Sequence, residues 1–369
     1  MALTPAQKTN AISIDQIVWN NASPNAATTG ELQLLRGVHN KLSLDCMKAF
    51  LQNIHVGKKI NLSSVWLDKT PQAVYIKGNK QPGNTELADL LVYVRTRTPA
   101  GVERRAILLQ GKPIFKRLQS YGSAGATPKE EYLYKNCPQF EVWSHGGTVG
   151  RPLAAACFDL KKVYPGASAK SWPTMSQVQT HWRFLSICRS QNDYVNWAPQ
   201  SPFHTRWPVK DRIPGEGLTE VIADMLMPAP TLGLPVEIIN GADDWKRLVN
   251  LLIGYTRSKV ITWNGGATKG KRNIRCFMVG RDAMPSPMAN FVFDPEAFES
   301  TYDSEVMGPL ALMDMSHSPG DVLDLDGNKV YFFNEKLDGM PPDDRRMDEE
   351  RPDGGGINLL IVDVDARMG

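Results

Sequence analysis

Thr85-Glu86-Leu87-Ala88-Asp89-Leu90-Leu91-Val92-Tyr93-Val94 and Arg105-Ala106-Ile107-Leu108-Leu109-Gln110-Gly111-Lys112 decide how this chain folds. Each is a short, nearly unbroken apolar run, the pattern of a buried strand. Each also holds polar groups that packing alone does not require. An acid sits among apolar neighbours in the first, and an amide and a lysine close the second. Burying such groups without partners is costly, so both runs are expected to face a site.

Between them lies Thr96-Arg97-Thr98-Pro99-Ala100-Gly101-Val102-Glu103, a polar turn with Pro and Gly. A chain folded back about Pro99 and Ala100 sets Asp89 opposite Gln110, where directly opposed Cβ atoms are about 4.5–5.5 Å apart. Gln110 and Lys112 share one face of their strand because side chains alternate. Asp89, Gln110 and Lys112 are therefore predicted to converge on one patch. An acid and a second oxygen ligand can hold a hard cation such as Mg²⁺ or Mn²⁺. Such a cation polarises a phosphate and lowers the pKa of a bound water. A neighbouring lysine orients that water or neutralises charge developing on the phosphate. Pro113 biases Lys112 to an extended conformation and removes a ladder donor, so the strand is predicted to end there.

The order Asp89, then Gln110-Gly111-Lys112, resembles the PD-(D/E)xK nuclease superfamily in its Q-x-K variant, over residues 30–145. The resemblance implies a restriction-endonuclease-like α/β core, a mixed sheet flanked by helices, with an additional C-terminal α+β region. It implies a metal-dependent nuclease acting on DNA. Asp89 and Gln110 would hold Mg²⁺ or Mn²⁺ and Lys112 would serve the phosphate. In the superfamily a glutamate from the first helix often completes the site, and Glu31 stands at the matching place here. Gln110 replaces the usual glutamate and brings an oxygen but no charge, so Glu86 is a further candidate ligand. Bacterial members include restriction and phage-defence effectors, which makes a homo-oligomer or a defence-complex partner the expected company. The same Gln110 keeps a second reading open, a catalytically inactive nucleic-acid- or protein-binding subunit on the same fold.

The 369 residues allow two or three domains at ~150 residues each. The expected division is an N-terminal arm over 1–29, a nuclease-like core over 30–160, a C-terminal α+β region over 161–334, a charged flexible loop over 335–356 and a closing strand over 357–369. A hydrophobic fraction of 42% and a charged fraction of 22% fit a soluble globular protein. The absence of any run of ~18 apolar residues argues against a membrane helix. The first eight residues lack a secretory apolar region. Cys46, Cys137, Cys157, Cys188 and Cys276 are scattered, which predicts reduced thiols in a cytoplasm and no zinc site.

Along the core, Leu32, Leu35, Val38, Leu42, Met47, Phe50 and Leu51 recur at roughly helical spacing. Strands are expected at Val65–Leu67, Ala73–Ile76 and Phe140–Trp143, and a helix from Pro128. From residue 165, Trp172, Trp182, Trp197 and Trp207 stand among Pro199, Pro202, Pro208 and Pro214, which reads as a long loop. Helices fit Gly217–Met227 and Asp243–Thr256, then strands fit Lys259–Trp263 and Asn273–Val279. The loop Gly265–Arg272 approaches a phosphate-binding loop, but Arg272 stands where Ser or Thr should hold the metal. It reads better as a basic hairpin tip. Lys269, Lys271, Arg272 and Arg275, with Lys116 and Arg117 near the other site, are expected to track nucleic-acid phosphates.

Overall fold

The structure, a computed structural model, describes residues 3–22, 34–35, 37–39, 41–67, 71–75, 84–116, 127–143, 152–163, 181–206, 215–236, 244–265, 276–279, 322–325, 328–331 and 357–367. The protein is mixed α/β. The helices are α1 (Pro5–Asn21), α2 (Lys41–Ile54), α3 (Thr127–Asn136), the single turn α4 (Gln191–Tyr194), α5 (Leu218–Met225) and α6 (Asp244–Gly265). The strands are β1 (Lys59–Leu67), β2 (Gln72–Tyr75), β3 (Asn84–Glu86), β4 (Leu90–Thr98), β5 (Gly101–Ile114), β6 (Phe140–Trp143), β7 (Pro152–Phe158), β8 (Trp182–Cys188), β9 (Phe203–Arg206), β10 (Leu234–Pro235), β11 (Cys276–Val279), β12 (Val322–Leu325), β13 (Asn328–Tyr331) and β14 (Asn358–Asp365).

The main sheet runs β11-β1-β14-β4-β5-β8-β9, with β10 added beside β5. Its heart is the β4–β5 hairpin, which turns at Pro99 and Ala100 between the paired Thr98 and Gly101. The sheet is mixed: β14 is parallel to β4 and β8 is parallel to β5, while the other pairings are antiparallel. A second sheet, β3-β2-β6-β7, and a separate β12–β13 ribbon complete the strands of the described residues.

Alternation along the hairpin feeds two cores. Leu90, Val92, Val94, Ile107 and Leu109 join a cluster with residues of α1, α2 and α5, including Val18, Trp19, Met47, Leu51, Val221 and Ile222. Leu91, Tyr93, Ala106 and Leu108 join the opposite cluster, with Leu133 and Tyr134 of α3, Phe140 of β6, and Trp245, Leu248 and Leu252 of α6. Burial on both faces explains why these strands read as continuous apolar runs.

Four sequence expectations change. Residues 5–21, expected to be part of a loose arm, form α1, capped reciprocally by Thr4 and Gln7 with Pro5 in the first turn. Its buried stripe of Ala11, Asp15, Val18 and Trp19 contains an acid, which disguised the helical period. Asp15 is fully buried because it caps another helix: Thr219 of α5 donates its backbone N–H (2.9 Å) and hydroxyl (2.6 Å), and Ser201 donates its hydroxyl (2.6 Å). Trp182, expected in a long loop, begins the wholly buried β8, and Trp197 is anchored by its indole N–H to the Phe115 carbonyl (3.2 Å). Lys259–Trp263, read as a strand, continues α6. The run from Thr85 to Val94 is two strands in two sheets, β3 and β4, joined by Leu87, Ala88 and Asp89.

Candidate active site on the β4–β5 hairpin

The crossing from β3 to β4 is held at three points. Leu87 donates its N–H to the Pro71 carbonyl (2.9 Å). Tyr134 donates its hydroxyl to the Leu87 carbonyl (2.9 Å). Asp89 donates its N–H to the Leu109 carbonyl (3.0 Å). The antiparallel register Leu90↔Leu109 then continues one step outward and sets Asp89 opposite Gln110, as the spacing predicts.

Beyond Leu109, β5 outruns its neighbour β4, while β8 still pairs with it as far as Ile114. The Asp89 side chain fills the place where β4 is missing. Its Oδ2 accepts the Gly111 backbone N–H (2.8 Å) and the Gln110 side-chain amide. Asp89 and Gln110 are both buried, at 1% and 0% exposure. The Gln110 Oε1 lies 3.4 Å from the Tyr134 hydroxyl.

Lys112 projects from the same face two residues on. Its Nζ lies 2.9 Å from Oε2 of Glu130, with the side chains 12% and 1% exposed. Glu130 and Tyr134 are four residues apart on α3, hence on one helix face. That face lays an acid over Lys112 and a phenol over Gln110. Burial raises the Tyr134 pKa well above its ordinary value, and the charges of Asp89, Glu130 and Glu86 add to the rise. Three acids and one lysine thus gather around the hairpin's end. The next strands extend the polar row: Lys112 pairs with Ser186 of β8, and Ser186 with His204 of β9. His204 packs on Trp197, with ring centroids 5.0 Å apart.

The structure therefore brings together Asp89, Gln110 and Lys112. Glu86 is half-buried at the end of β3 and pairs across with Gln72 of the second sheet. Lys116 is exposed just past β5. Glu31, Arg117, Lys269, Lys271, Arg272 and Arg275 lie outside the described residues, as does the 335–356 segment. Glu130, Tyr134, Ser186 and His204 were not singled out from sequence. The i, i+4 spacing of Glu130 and Tyr134 on the expected helix was the available signal for two of them. Ser186 and His204 follow only from strand register.

Among the described residues, no group of three or more His, Cys, Asp or Glu side chains is arranged to hold a metal. The donor chemistry nonetheless suits a hard cation in one respect. Half a turn of the Gln110 amide would place Oε1 beside Asp89 Oδ2 and direct the amide nitrogen to the Tyr134 hydroxyl, giving two adjacent oxygens as such a cation requires. No helix among the described residues is long and apolar enough to cross a membrane. No protein-family model, curated protein or solved structure matches this chain.

Proposed function

We propose that the protein is a metal-dependent nuclease that hydrolyses DNA phosphodiester bonds at the end of the β4–β5 hairpin, in a setting such as defence against phage. The observation that supports this best is the convergence of Asp89, Gln110 and Lys112 on one face beneath Glu130. Asp89 and the turned Gln110 amide would hold Mg²⁺ or Mn²⁺, with Glu86 as the nearby reserve of charge. When bound, such an ion supplies Lewis acidity toward the phosphate and a more acidic water. Lys112, exchanging Glu130 for a phosphate oxygen, would neutralise charge developing there. Glu130 holds the ammonium in place until then, and Tyr134 fixes the backbone from which Asp89 projects.

The test is cleavage of plasmid, linear duplex and single-stranded DNA with Mg²⁺ or Mn²⁺, beside EDTA controls. Divalent-dependent cutting that is lost in folded Asp89→Asn and Lys112→Gln supports the proposal. Cutting that survives both variants refutes this site.

A second reading, a non-catalytic binding subunit, draws on the mutual satisfaction of the cluster. The Gln110 amide faces Asp89 and Lys112 faces Glu130, so the groups serve one another. That reading expects DNA binding that weakens with salt, persists in Asp89→Asn and produces no scission.

A further inference from the structure

We propose that the end of β5 forms a stacking platform for an unpaired nucleic-acid base, made by Phe115 and Arg189 with Lys116 beside them. The inference rests on the nuclease reading and specifies its substrate as a single strand. Phe115 is the aromatic residue among the exposed large hydrophobic side chains of the described residues, at 43% exposure. The Arg189 guanidinium lies over its ring, 3.6 Å from the centroid.

The pair is fixed from behind. Arg189 donates its backbone N–H to the Ile114 carbonyl (3.2 Å), and the buried Trp197 donates its indole N–H to the Phe115 carbonyl (3.2 Å). Asp193 orients the guanidinium from the side, with Arg189 Nε and Asp193 Oδ2 3.4 Å apart, and Ser190 holds Asp193 through its hydroxyl (2.6 Å). A flat cation–aromatic surface preassembled in this way loses little freedom on binding. It presents π-faces and guanidinium faces on which any base can stack.

Position links the platform to the hairpin site. Phe115 follows Lys112 by three residues, about 10 Å along an extended chain. That spans no more than about three nucleotides at the rise of a stacked strand. A strand whose phosphate lies at Lys112 therefore has a base within reach of Phe115, while the exposed Lys116 meets the backbone. In a duplex the base faces are covered by their neighbours, so a stacking surface selects an unpaired strand.

The experiment is fluorescence anisotropy in EDTA, where no divalent-dependent cutting occurs, with labelled oligothymidylate, oligouridylate and a duplex of equal length. Wild type is expected to bind a single strand more tightly than the duplex. Phe115→Leu, which keeps apolar bulk but removes the ring, should weaken single-strand binding about ten-fold or more, as loss of one stacked base predicts. Phe115→Trp should restore it. The salt dependence should stay unchanged in Phe115→Leu, because stacking releases no counterions. No single-strand binding by wild type, or equal affinity in wild type and Phe115→Leu, overturns the platform. Ring-dependent binding by a protein that never cuts DNA instead refutes the nuclease reading and leaves the platform standing.

Discussion

Replacing Asp89 by alanine should damage the fold as well as any chemistry, by an amount the structure bounds. Asp89 Oδ2 stands in for the missing end of β4 by accepting the Gly111 N–H (2.8 Å) and the Gln110 amide. Both donors belong to buried residues, Gln110 and Gly111. Leaving a buried donor unsatisfied costs about 1–3 kcal/mol, so Asp89→Ala should cost about 2–6 kcal/mol. Asp89→Asn keeps an acceptor oxygen in the place of Oδ2, where both donors meet, and should cost about 1–2 kcal/mol, the difference between a charged and a neutral acceptor over two hydrogen bonds. Urea denaturation followed by tryptophan fluorescence would measure both, with equal slopes required before midpoints are compared. An Asp89→Ala variant within ~0.5 kcal/mol of wild type, the usual range for surface substitutions, would refute the strand-surrogate role. The ordering also bears on activity assays: loss of cutting in Asp89→Ala alone does not separate chemistry from folding, whereas loss in Asp89→Asn does.

Three further outcomes can be checked. Removing either partner of the buried Lys112–Glu130 pair should cost about 3–5 kcal/mol. The double variant Lys112→Met/Glu130→Leu should cost clearly less than the sum, and a coupling below about 0.5 kcal/mol in that cycle refutes a structural pair. Burial raises the Asp15 carboxyl to about 7, against hydrogen bonds from Ser201 and Thr219 that lower it. Its folded pKa exceeds its unfolded one, so its contribution is full below about pH 4 and lost as pH rises through about 7. Wild type should lose a few kcal/mol over that window relative to Asp15→Asn, and parallel stability–pH curves would contradict this. Gly217→Ala would drive a Cβ into Asp15 Oδ2, so the variant should lower the melting temperature by several degrees, whereas an unchanged melting curve would show that α1 and α5 can separate without cost.

The hairpin was legible because two signals agreed: apolar runs of strand length and a Pro/Gly turn whose position fixes register. That agreement also placed Asp89 against Gln110 and Lys112 on their face. The return of residues 357–365 to a sheet was legible from composition, but its place between β1 and β4 was not, since pairing between distant segments leaves no local trace. Val260, Ile261 and Thr262 favour a strand by their branching, yet α6 runs through them, an override of propensity by context. β8 was hidden by the prolines that follow it. Glu130 was hidden because its partner lies on another element and an acid in the first turn of a helix is ordinarily explained by the helix dipole.

The position of β14 sets the timing of folding during synthesis. Its Asp363 meets Arg95 of β4 across 268 residues of chain. At ~5–20 residues per second, the ribosome takes between roughly ten seconds and a minute to cover that distance. Throughout that interval β1 and β4 have emerged with the slot between them empty, each showing an unpaired edge of the kind that recruits other chains. The nascent protein therefore carries two open edges until β14 arrives between β1 and β4. Chaperone demand should drop sharply once residues 357–365 pair between β1 and β4.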